Sequence, residues 1–449
     1  MRSLLLSSLY SASLVLCVSS HALAQDQLPM PQLGPYEYEP KPEGEAFQKL
    51  NPRKAPAAGA MMLKKGDRLA IIGDSITEQR MYSRLIETYL TACMPELEIS
   101  VRQYGWSGEK TDGFLRRMEN DCLRFDPTVA TLCYGMNDAR YRPFDVTNGK
   151  WYEDHYTAIV RRLKNAGSKV VVGSPGCSGK LATWVGSRVG TLEEHNQHLC
   201  ALRDIAMQVA ENEGVAFADI FWPMYKARVA APGLYPGDGS KPYEMVGRDG
   251  IHPDWAGHAI MAYAFLESLG LDGDLGTISV DLQNKTATAT DGHNVDGFDN
   301  GEVALTSTRY CFCAPGPIDR DNSVRSGMTF IPFDEKLNRL TLKVTGVSGL
   351  ATITWGGASK TFSASQLREG INLAAEFTSN PFCGAFARVD DAVAEKQAYE
   401  TKQIKQIFHG RAARDNMEQA VADSEKEHAP LAQAVRDAVR PVRHVIQIR

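Results

Sequence analysis

The stretch that decides the fold is Leu69-Ala70-Ile71-Ile72-Gly73-Asp74-Ser75-Ile76-Thr77, in which an apolar run leads directly into a Gly-Asp-Ser turn. The run Leu69–Ile72 is too short for a helix and fits a strand that is buried on both faces. A helical pattern follows at Met81–Ala92. Because open α/β sheets bind ligands at the carboxyl ends of their strands, a serine at this turn can be both exposed and rigidly held. Asp and Ser are also common helix N-caps, so the turn alone leaves both interpretations open.

The same alternation of short apolar runs and helical patterns continues to about residue 270. Strands are predicted at Leu69–Ile72, Ile99–Gln103, Val129–Cys133, Val170–Gly173 and Phe217–Asp219. Helices are predicted at Met81–Ala92, Asp112–Cys122, Trp151–Ala166, Leu192–Glu213 and Trp255–Leu269. Strands that alternate with helices indicate a parallel sheet with crossover helices, and therefore a three-layer α/β/α domain, here over residues 66–272.

The N-terminal residues have the pattern of an export signal. Arg2 precedes an apolar segment, and Ala22-Leu23-Ala24 fits a cleavage site, so residues 1–24 are predicted to be a signal peptide. We therefore expect a secreted or periplasmic protein with no membrane span after cleavage. Residues 25–65, rich in Pro, Gly and Glu, are predicted to form an extended leader.

The composition changes again after the α/β domain. Residues 273–385 carry Thr, Val and Gly in short alternating runs, which predict a smaller β-rich domain. Residues 386–449 are charged and rich in Ala, and are predicted to form a helical C-terminal tail broken near Gly410 and Pro441.

The net charge limits which classes of partner the protein can bind. The formal net charge of −5 over 449 residues argues against a nucleic-acid surface and against a polybasic membrane patch. The sequence does not indicate the oligomeric state.

Without Cys17 the chain has eight cysteines, and an even number in an exported protein predicts disulfides. The candidate pairs are Cys177 with Cys200, and Cys383 with Cys311 or Cys313. Cys311 and Cys313 have no second ligand pair at metal-site spacing, so neither a metal nor a cofactor is predicted.

A second motif, Asp249-Gly250-Ile251-His252-Pro253, lies far downstream of Ser75. A serine hydroxyl is a weak nucleophile and needs an adjacent base, for which imidazole has a suitable pKa. A carboxylate must orient that imidazole, and a tight turn at Gly250 could bring Asp249 and His252 to one side of a loop. A helix-capping loop with a solvated histidine is the alternative interpretation.

Two further segments at predicted strand ends could donate hydrogen bonds to a developing oxyanion. They are Tyr104-Gly105-Trp106-Ser107-Gly108 and Tyr134-Gly135-Met136-Asn137-Asp138. Glycine allows close approach of a backbone N–H, and a side-chain amide is a neutral donor. Each segment, taken singly, is equally typical of an ordinary strand-to-helix turn.

Four of these segments, taken together and in this order, resemble the four sequence blocks of the SGNH, or GDSL, hydrolase family. They are Gly73-Asp74-Ser75, Trp106-Ser107-Gly108, Gly135–Asp138 and Asp249–Pro253. The resemblance covers roughly residues 66–270. It implies a flavodoxin-like α/β/α fold and metal-independent ester hydrolysis. Ile76 stands where the family usually has Leu.

The resemblance also implies roles for individual residues. Ser75 would be the nucleophile, and His252 and Asp249 would complete a catalytic triad. The N–H groups of Ser75 and Gly108 and the side-chain amide of Asn137 would form the oxyanion hole. Gly105 competes with Gly108 for the glycine position, and the family spacing favours Gly108.

Other polar and aromatic residues near these blocks carry weaker signals. Arg140 could bind an anionic part of the substrate or form a surface ion pair. Trp106 could stack on a sugar ring or belong to the core. His195 and His198 lie three residues apart on a predicted helix, where solvated histidines are more common than metal ligands.

The resemblance fixes the reaction class better than the substrate. Export and the β-rich segment favour a small-molecule or polysaccharide ester, with short acyl groups on carbohydrate as the leading case. The alternatives are a lipase- or thioesterase-type acylhydrolase, and a non-catalytic carbohydrate-binding protein on the same fold.

Overall fold

A five-stranded parallel sheet organises the first half of the computed structural model, which describes residues 36–236, 242–290 and 292–449. The strands are β1 (Arg68–Gly73), β2 (Ser100–Gly105), β3 (Val129–Cys133), β4 (Lys169–Gly173) and β5 (Ala216–Ala218). Their order is β2-β1-β3-β4-β5, and every neighbouring pair is parallel. This order is the flavodoxin-like one, which confirms the predicted fold.

Helices cover both faces of this sheet. They are α1 (Glu45–Gln48), α2 (Ser75–Glu78), α3 (Tyr82–Ala92), α4 (Thr111–Asp121), α5 (Val146–Asn165), α6 (Leu192–Glu213), α7 (Phe221–Leu234) and α8 (Trp255–Ser268). Short 3₁₀ turns lie at Pro95–Leu97 and Leu123–Phe125. Helix α7 was not predicted from the sequence. It is apolar around most of its circumference and contains Pro232, so it lacks the one-sided pattern that reveals a helix.

The predicted signal peptide lies outside the described residues, as does the leader up to residue 35. From residue 37 onward the leader packs against the α/β layer. Phe47 is buried edge-on against Trp222, with ring centroids 5.7 Å apart. The guanidinium of Arg53 is bound by Glu211 of α6 at 2.8 Å. No helix within the described ranges is long and apolar enough to cross a membrane.

The β-rich part forms two further sheets. Its elements are β6 (Asp274–Asp281), β7 (Thr286–Ala289), β8 (His293–Asp299), β9 (Glu302–Ser307), α9 (Val324–Met328), α10 (Phe333–Lys336), β10 (Arg339–Thr345), β11 (Leu350–Trp355), β12 (Ala358–Ser363), α11 (Ala364–Glu369), β13 (Ile371–Asn372) and α12 (Leu373–Glu376). The strands alternate between buried and exposed residues, as the sequence pattern predicted. One sheet has the order β13-β10-β6-β7, and β6 and β10 pair in parallel.

The C-terminal segment is mostly helical but ends in a strand. Its elements are α13 (Cys383–Lys402), a π-helical turn (Gln403–Phe408), α14 (Arg411–Asp415), α15 (Met417–Asp437) and β14 (Val442–Ile448). Strand β14 lies between β11 and β9 in the sheet β12-β11-β14-β9-β8. The prediction of a helical tail is wrong for these residues, because a seven-residue strand that follows a long helix gives only a short local signal. Residues Glu37–Arg449 belong to one compact unit, and the boundaries proposed within it stay predictions.

The cysteines are free thiols throughout the described residues, and the predicted disulfides are not formed. Cys177 and Cys200 are fully buried in the α/β layer. Burial raises the pKa of the Cys177 thiol to about 12, so it packs as a small apolar side chain rather than reacting as a thiolate. Cys311 and Cys313 contact the side-chain amide of Asn380, and the Cys383 sulfur accepts from the Asn380 backbone N–H.

Candidate active site

Ser75 lies at the carboxyl edge of the central sheet, where β1 ends and α2 begins. Asp74 caps the helix, and its carboxylate accepts a hydrogen bond from the Ile76 N–H at 2.9 Å. A Cβ at position 73 would lie 2.1 Å from Thr77 Oγ1 and 2.7 Å from the Cys133 carbonyl oxygen, so only glycine fits. The turn therefore presents the Ser75 hydroxyl from a fixed backbone.

The loop before α8 brings an imidazole and a carboxylate to that hydroxyl. His252 Nε2 lies 2.8 Å from Ser75 Oγ, and His252 Nδ1 lies 2.7 Å from Asp249 Oδ2. Gly250, at φ +77°, allows the tight turn between the two, and its carbonyl accepts a hydrogen bond from the Gly179 N–H at 2.8 Å. The three side chains form one continuous hydrogen-bonded chain, with Nδ1 donating to the carboxylate and Nε2 accepting from the hydroxyl.

Backbone contacts keep the Asp249 carboxylate ionised. Burial raises its pKa, but hydrogen bonds from the N–H groups of His252 and Ile251 and from the His252 ring outweigh that effect and hold the pKa below its usual value. Both backbone donors lie 2.9 Å from Asp249 Oδ1. An ionised carboxylate at this position stabilises positive charge on the imidazole.

A second set of contacts joins the His252 loop to the Ser75 turn. Gln79, the residue after α2, donates from its amide to the Pro253 carbonyl at 3.2 Å, and its Oε1 lies 3.2 Å from His258 Nε2. His258 Nδ1 accepts from the Tyr82 N–H at 3.2 Å, which leaves Nε2 as the donor to Gln79. Burial lowers the pKa of His258 to about 3, so it stays neutral and acts as a fixed spacer.

The three donors predicted for an oxyanion hole differ in the partners that they already have. Ser75 is the first residue of α2, where N–H groups have no acceptor within the helix. Gly108, at φ +73°, has open space where a Cβ would be, and its N–H has no hydrogen bond to the described residues. Asn137 Nδ2 lies 3.3 Å from Asp74 Oδ2 and 3.1 Å from the Glu109 carbonyl. Unlike the Gly108 N–H, the Gly105 N–H is bound to Gln103 Oε1 at 3.0 Å.

Buried carboxylates support the turn that carries Asn137. Asp138 accepts hydrogen bonds from the N–H and hydroxyl of Thr111, at 3.0 and 2.8 Å, and from the Gly135 N–H at 3.0 Å. Burial raises the pKa of Asp138 to about 6 despite these donors. Tyr141 Oη donates to Asn137 Oδ1 at 3.3 Å, which orients the amide with its NH₂ toward Asp74.

The residues with weaker sequence signals have specific surroundings. The Trp106 ring contacts His409, with centroids 4.9 Å apart, and the Arg140 guanidinium lies 5.1 Å from the centre of the Trp151 ring. Their predicted substrate roles stay predictions. His195 and His198 are fully buried, so the expectation that they are solvated is wrong.

Several residues around the site carry no signal in the sequence. Trp184, on the loop after β4, stacks on the His252 ring at 6.0 Å and is 53% exposed. Glu78 binds the Trp106–Gly108 loop, and Lys405 and His409 reach it from the C-terminal segment. No local motif marks these positions, because the contacts join residues up to 327 positions apart in the chain.

The part of the chain that carries these residues is similar to known proteins. Residues 71–260 match the model of the GDSL-like lipase/acylhydrolase family. This part of the chain is a GDSL-like acylhydrolase domain. The match includes Ser75, Gly108, Asn137, Asp249 and His252, and the domain belongs to a class of enzymes that hydrolyse esters.

Relatives and solved structures extend the comparison beyond the domain. An acetylxylan esterase from Geobacillus stearothermophilus is 27% identical over 233 residues, which is 47% of this chain and 98% of that protein. The structure of a gut microbial diltiazem-metabolizing enzyme superposes with a TM-score of 0.68 at 22% identity, and covers 88% of this chain and 100% of its own. It shares the fold well beyond the acylhydrolase domain. A structure of the Geobacillus stearothermophilus acetylxylan esterase has a TM-score of 0.38 at 22% identity, and covers 47% of this chain and 97% of its own.

Proposed function

We propose that this chain is a serine esterase in which Ser75, His252 and Asp249 form the catalytic triad. The observation that carries the proposal is the hydrogen-bonded chain from Ser75 Oγ through the His252 ring to Asp249, with links of 2.8 and 2.7 Å. In this chain His252 takes the Ser75 proton as the hydroxyl attacks the ester carbonyl, and Asp249 stabilises the resulting imidazolium.

The oxyanion hole consists of the N–H groups of Ser75 and Gly108 and the side-chain amide of Asn137. The tetrahedral intermediate carries a negative oxygen, and these donors stabilise it more strongly than they stabilise the neutral carbonyl of the substrate. His252 then gives its proton to the leaving alcohol. Water, activated by the same imidazole, attacks the acyl-enzyme and releases the acid.

Replacement of the nucleophile tests this mechanism. We expect Ser75→Ala to abolish hydrolysis of p-nitrophenyl acetate and labelling by a fluorophosphonate probe, with an unchanged circular dichroism spectrum. Ser348→Ala, which alters an exposed serine after β10, is the matched control and should keep full activity. Turnover by a purified Ser75→Ala protein at the wild-type rate would refute the proposal.

The substrate we propose is a short acyl group, acetyl first, on a carbohydrate. An exposed tryptophan beside the imidazole, Trp184, offers an apolar ring face on which a sugar can stack, and the relative at 27% identity is an acetylxylan esterase. Acetate release from acetylated xylo-oligosaccharides, compared with hydrolysis of long-chain triglycerides and acyl thioesters, tests this choice. Preference for either of the latter two would favour the lipase- or thioesterase-type alternative, and sugar binding without turnover would favour the non-catalytic one.

We also propose that the protein is exported, on the basis of the N-terminal sequence pattern. Expression of the gene in a Gram-negative host with fractionation of the cells tests this. The mature chain should start at Gln25 by mass spectrometry, and recovery of an unprocessed chain from the cytoplasm alone would contradict export.

A further inference from the structure

The C-terminal helical segment packs along the edge strand of the catalytic sheet. The ammonium of Lys396, on α13, donates to the Val101 carbonyl of β2 at 2.7 Å, and Glu400 Oε2 accepts from the Gln103 N–H at 3.1 Å. The π-helical turn that follows stacks Phe408 on Phe125, with centroids 6.0 Å apart. Such turns are rare and frequently lie at functional sites. This one delivers Lys405 and His409 to the loop that carries Gly108.

Lys405 connects the two halves of the site through a single carboxylate. Its ammonium lies 2.7 Å from Glu78 Oε1. The other oxygen, Glu78 Oε2, accepts hydrogen bonds from the N–H of Ser107 at 2.5 Å and from its hydroxyl at 2.7 Å. Glu78 is the last residue of the one-turn helix that Ser75 begins, and Ser107 directly precedes Gly108. The carboxylate therefore joins the nucleophile turn to the oxyanion loop.

The ionised form of Glu78 is the one that this arrangement favours. Partial burial raises its pKa, but hydrogen bonds from Lys405 and Ser107 outweigh that effect and keep the pKa below its usual value. The Lys405 ammonium also lies 5.4 Å from the centre of the Trp106 ring, within the range of a cation–π contact.

His409 holds the other side of the same loop. Its ring meets Trp106 edge-on at 72°, and its Nε2 lies 3.0 Å from both carboxylate oxygens of Asp121. Asp121 accepts from Arg117 at 3.1 Å, and Arg117 forms a two-pronged pair with Glu109 at 2.7 Å. The Glu109 carbonyl in turn accepts from Asn137 Nδ2, so the contacts continue to the second oxyanion donor.

We propose that Lys405 and His409, here called the tail clamp, are positioning residues that hold the oxyanion loop in register with Ser75. The inference rests on the proposed esterase function, and both residues lie outside the part of the chain that the family model matches. Neither faces the reacting atoms directly. Their effect on catalysis is transmitted through Glu78 and Trp106. Small displacements of oxyanion donors lower the catalytic rate strongly, because these donors act mainly in the transition state.

Removal of the ammonium tests the tail clamp in the full-length protein. We expect Lys405→Met to lower kcat on p-nitrophenyl acetate by roughly tenfold or more, with KM within about twofold, because the loss falls on the transition state. Lys405→Arg keeps the charge and should recover most of the rate. Lys402→Met is the matched control. Lys402 lies one turn earlier, is 52% exposed and contacts Glu427 and Tyr399 of the tail, so the kcat of this variant should not change.

A double-mutant cycle shows whether Lys405 acts through Glu78. We expect Glu78→Gln with Lys405→Met to be no slower than the worse of the two single variants, since both changes interrupt one contact. Additive losses would mean that Lys405 does not act by that route, and would overturn the proposal. An unchanged kcat in Lys405→Met, in a preparation whose activity depends on Ser75, would also overturn it.

Hydrogen exchange gives a readout that does not depend on activity. In Lys405→Met, the backbone amides of residues 106–109 should exchange faster than in the wild type and in Lys402→Met, while the strands of the central sheet stay equally protected. Faster exchange across the whole protein would indicate a purely structural role and would count against the proposal. If the wild type shows no Ser75-dependent hydrolysis but this local effect persists, the esterase function fails and the tail clamp stands as a loop-positioning contact.

Discussion

The side-chain amide of Asn137 donates to the carboxyl group of Asp74 across 3.3 Å. Asp74 immediately precedes the proposed nucleophile, so this contact joins the turn after β3 to the turn after β1. Burial, reinforced by the nearby charges of Asp138 and Glu109, raises the pKa of Asp74 to about 7 in spite of its backbone hydrogen bonds. The Glu109 carbonyl accepts the other amide hydrogen at 3.1 Å, so both N–H groups of the amide have acceptors before any substrate arrives. In the proposed oxyanion hole, the negative oxygen replaces one of these acceptors.

Removal of this amide should slow the chemical step. We expect Asn137→Ala to lower kcat on p-nitrophenyl acetate by roughly 10²- to 10³-fold with little change in KM, because the lost donor acts on the oxyanion. Asn212→Ala, which alters an exposed asparagine on α6, is the control and should retain wild-type kinetics. A kcat within about twofold of the wild type would exclude Asn137 from the oxyanion hole.

The turn between Asp249 and His252 should not tolerate a side chain at Gly250. A Cβ there would lie 2.3 Å from the Lys180 backbone nitrogen, in addition to the strain of φ +77°. We expect Gly250→Ala to abolish most activity and to lower the melting temperature. Gly167→Ala is the matched control, since Gly167 has φ +90° but open space around it. It should lose only about 1–2 kcal/mol of stability and keep full activity. Equal activity in the two purified variants would contradict this account.

The exposed ring of Trp184 should matter for sugar substrates and not for small esters. We expect Trp184→Ala to raise KM for acetylated xylo-oligosaccharides about fivefold, the equivalent of about 1 kcal/mol of stacking, and to leave p-nitrophenyl acetate kinetics unchanged. Val189→Ala, on the same loop and 64% exposed, serves as the control. An equal change in KM for both substrates would show that Trp184 acts on the loop or on His252 instead.

His195 should make the fold sensitive to acid. It is fully buried, neither ring nitrogen has a hydrogen-bond partner in the described structure, and burial lowers its pKa to about 4. The unfolded chain binds this proton more readily, so the contribution of neutral His195 is complete above its ordinary pKa and is lost as the pH falls below it.

The measurement is the pH dependence of unfolding by urea. We expect the free energy of unfolding of His195→Phe, relative to the wild type, to rise by about 2 kcal/mol between about pH 8 and about pH 5, because phenylalanine has no proton to gain. His155→Phe, which alters a partly exposed histidine on α5, should show no such trend. A constant difference between the His195 variant and the wild type across this range would refute the assignment.

The sequence predicted the parts of the molecule that depend on local pattern. Leu69–Ile72 and Val129–Cys133 are short apolar runs in the positions of β1 and β3, and Gly73-Asp74-Ser75 is a turn that local geometry requires. The four blocks of the acylhydrolase domain converge because parallel strands place their carboxyl ends at one edge. Alternation of elements therefore predicted the parallel sheet and its covering helices, whereas the flavodoxin-like topology was implied by the resemblance to the family.

The rest depends on contacts between distant residues. The burial of His195 follows from its stacking on Tyr141, with centroids 5.2 Å apart, which a helical pattern does not reveal. In the sequence, Lys405 has the surroundings of an ordinary surface lysine in a charged tail. Only the packing of α13 on β2 brings it to Glu78. The pairing of Val442–Ile448 with β9 and β11 depends on residues far upstream, so the local sequence does not reveal it.

The position of β14 has a consequence for how the protein is made. Strand β14 fills the gap between β9 and β11, so this sheet stays split into two hairpins until Val442–Ile448 has left the ribosome. Two hairpins with unpaired inner edges are prone to join other nascent chains instead of each other. The β-rich region therefore completes its folding only after Val442–Ile448 has been synthesised, and the inner edges of β9 and β11 stay unpaired during that interval.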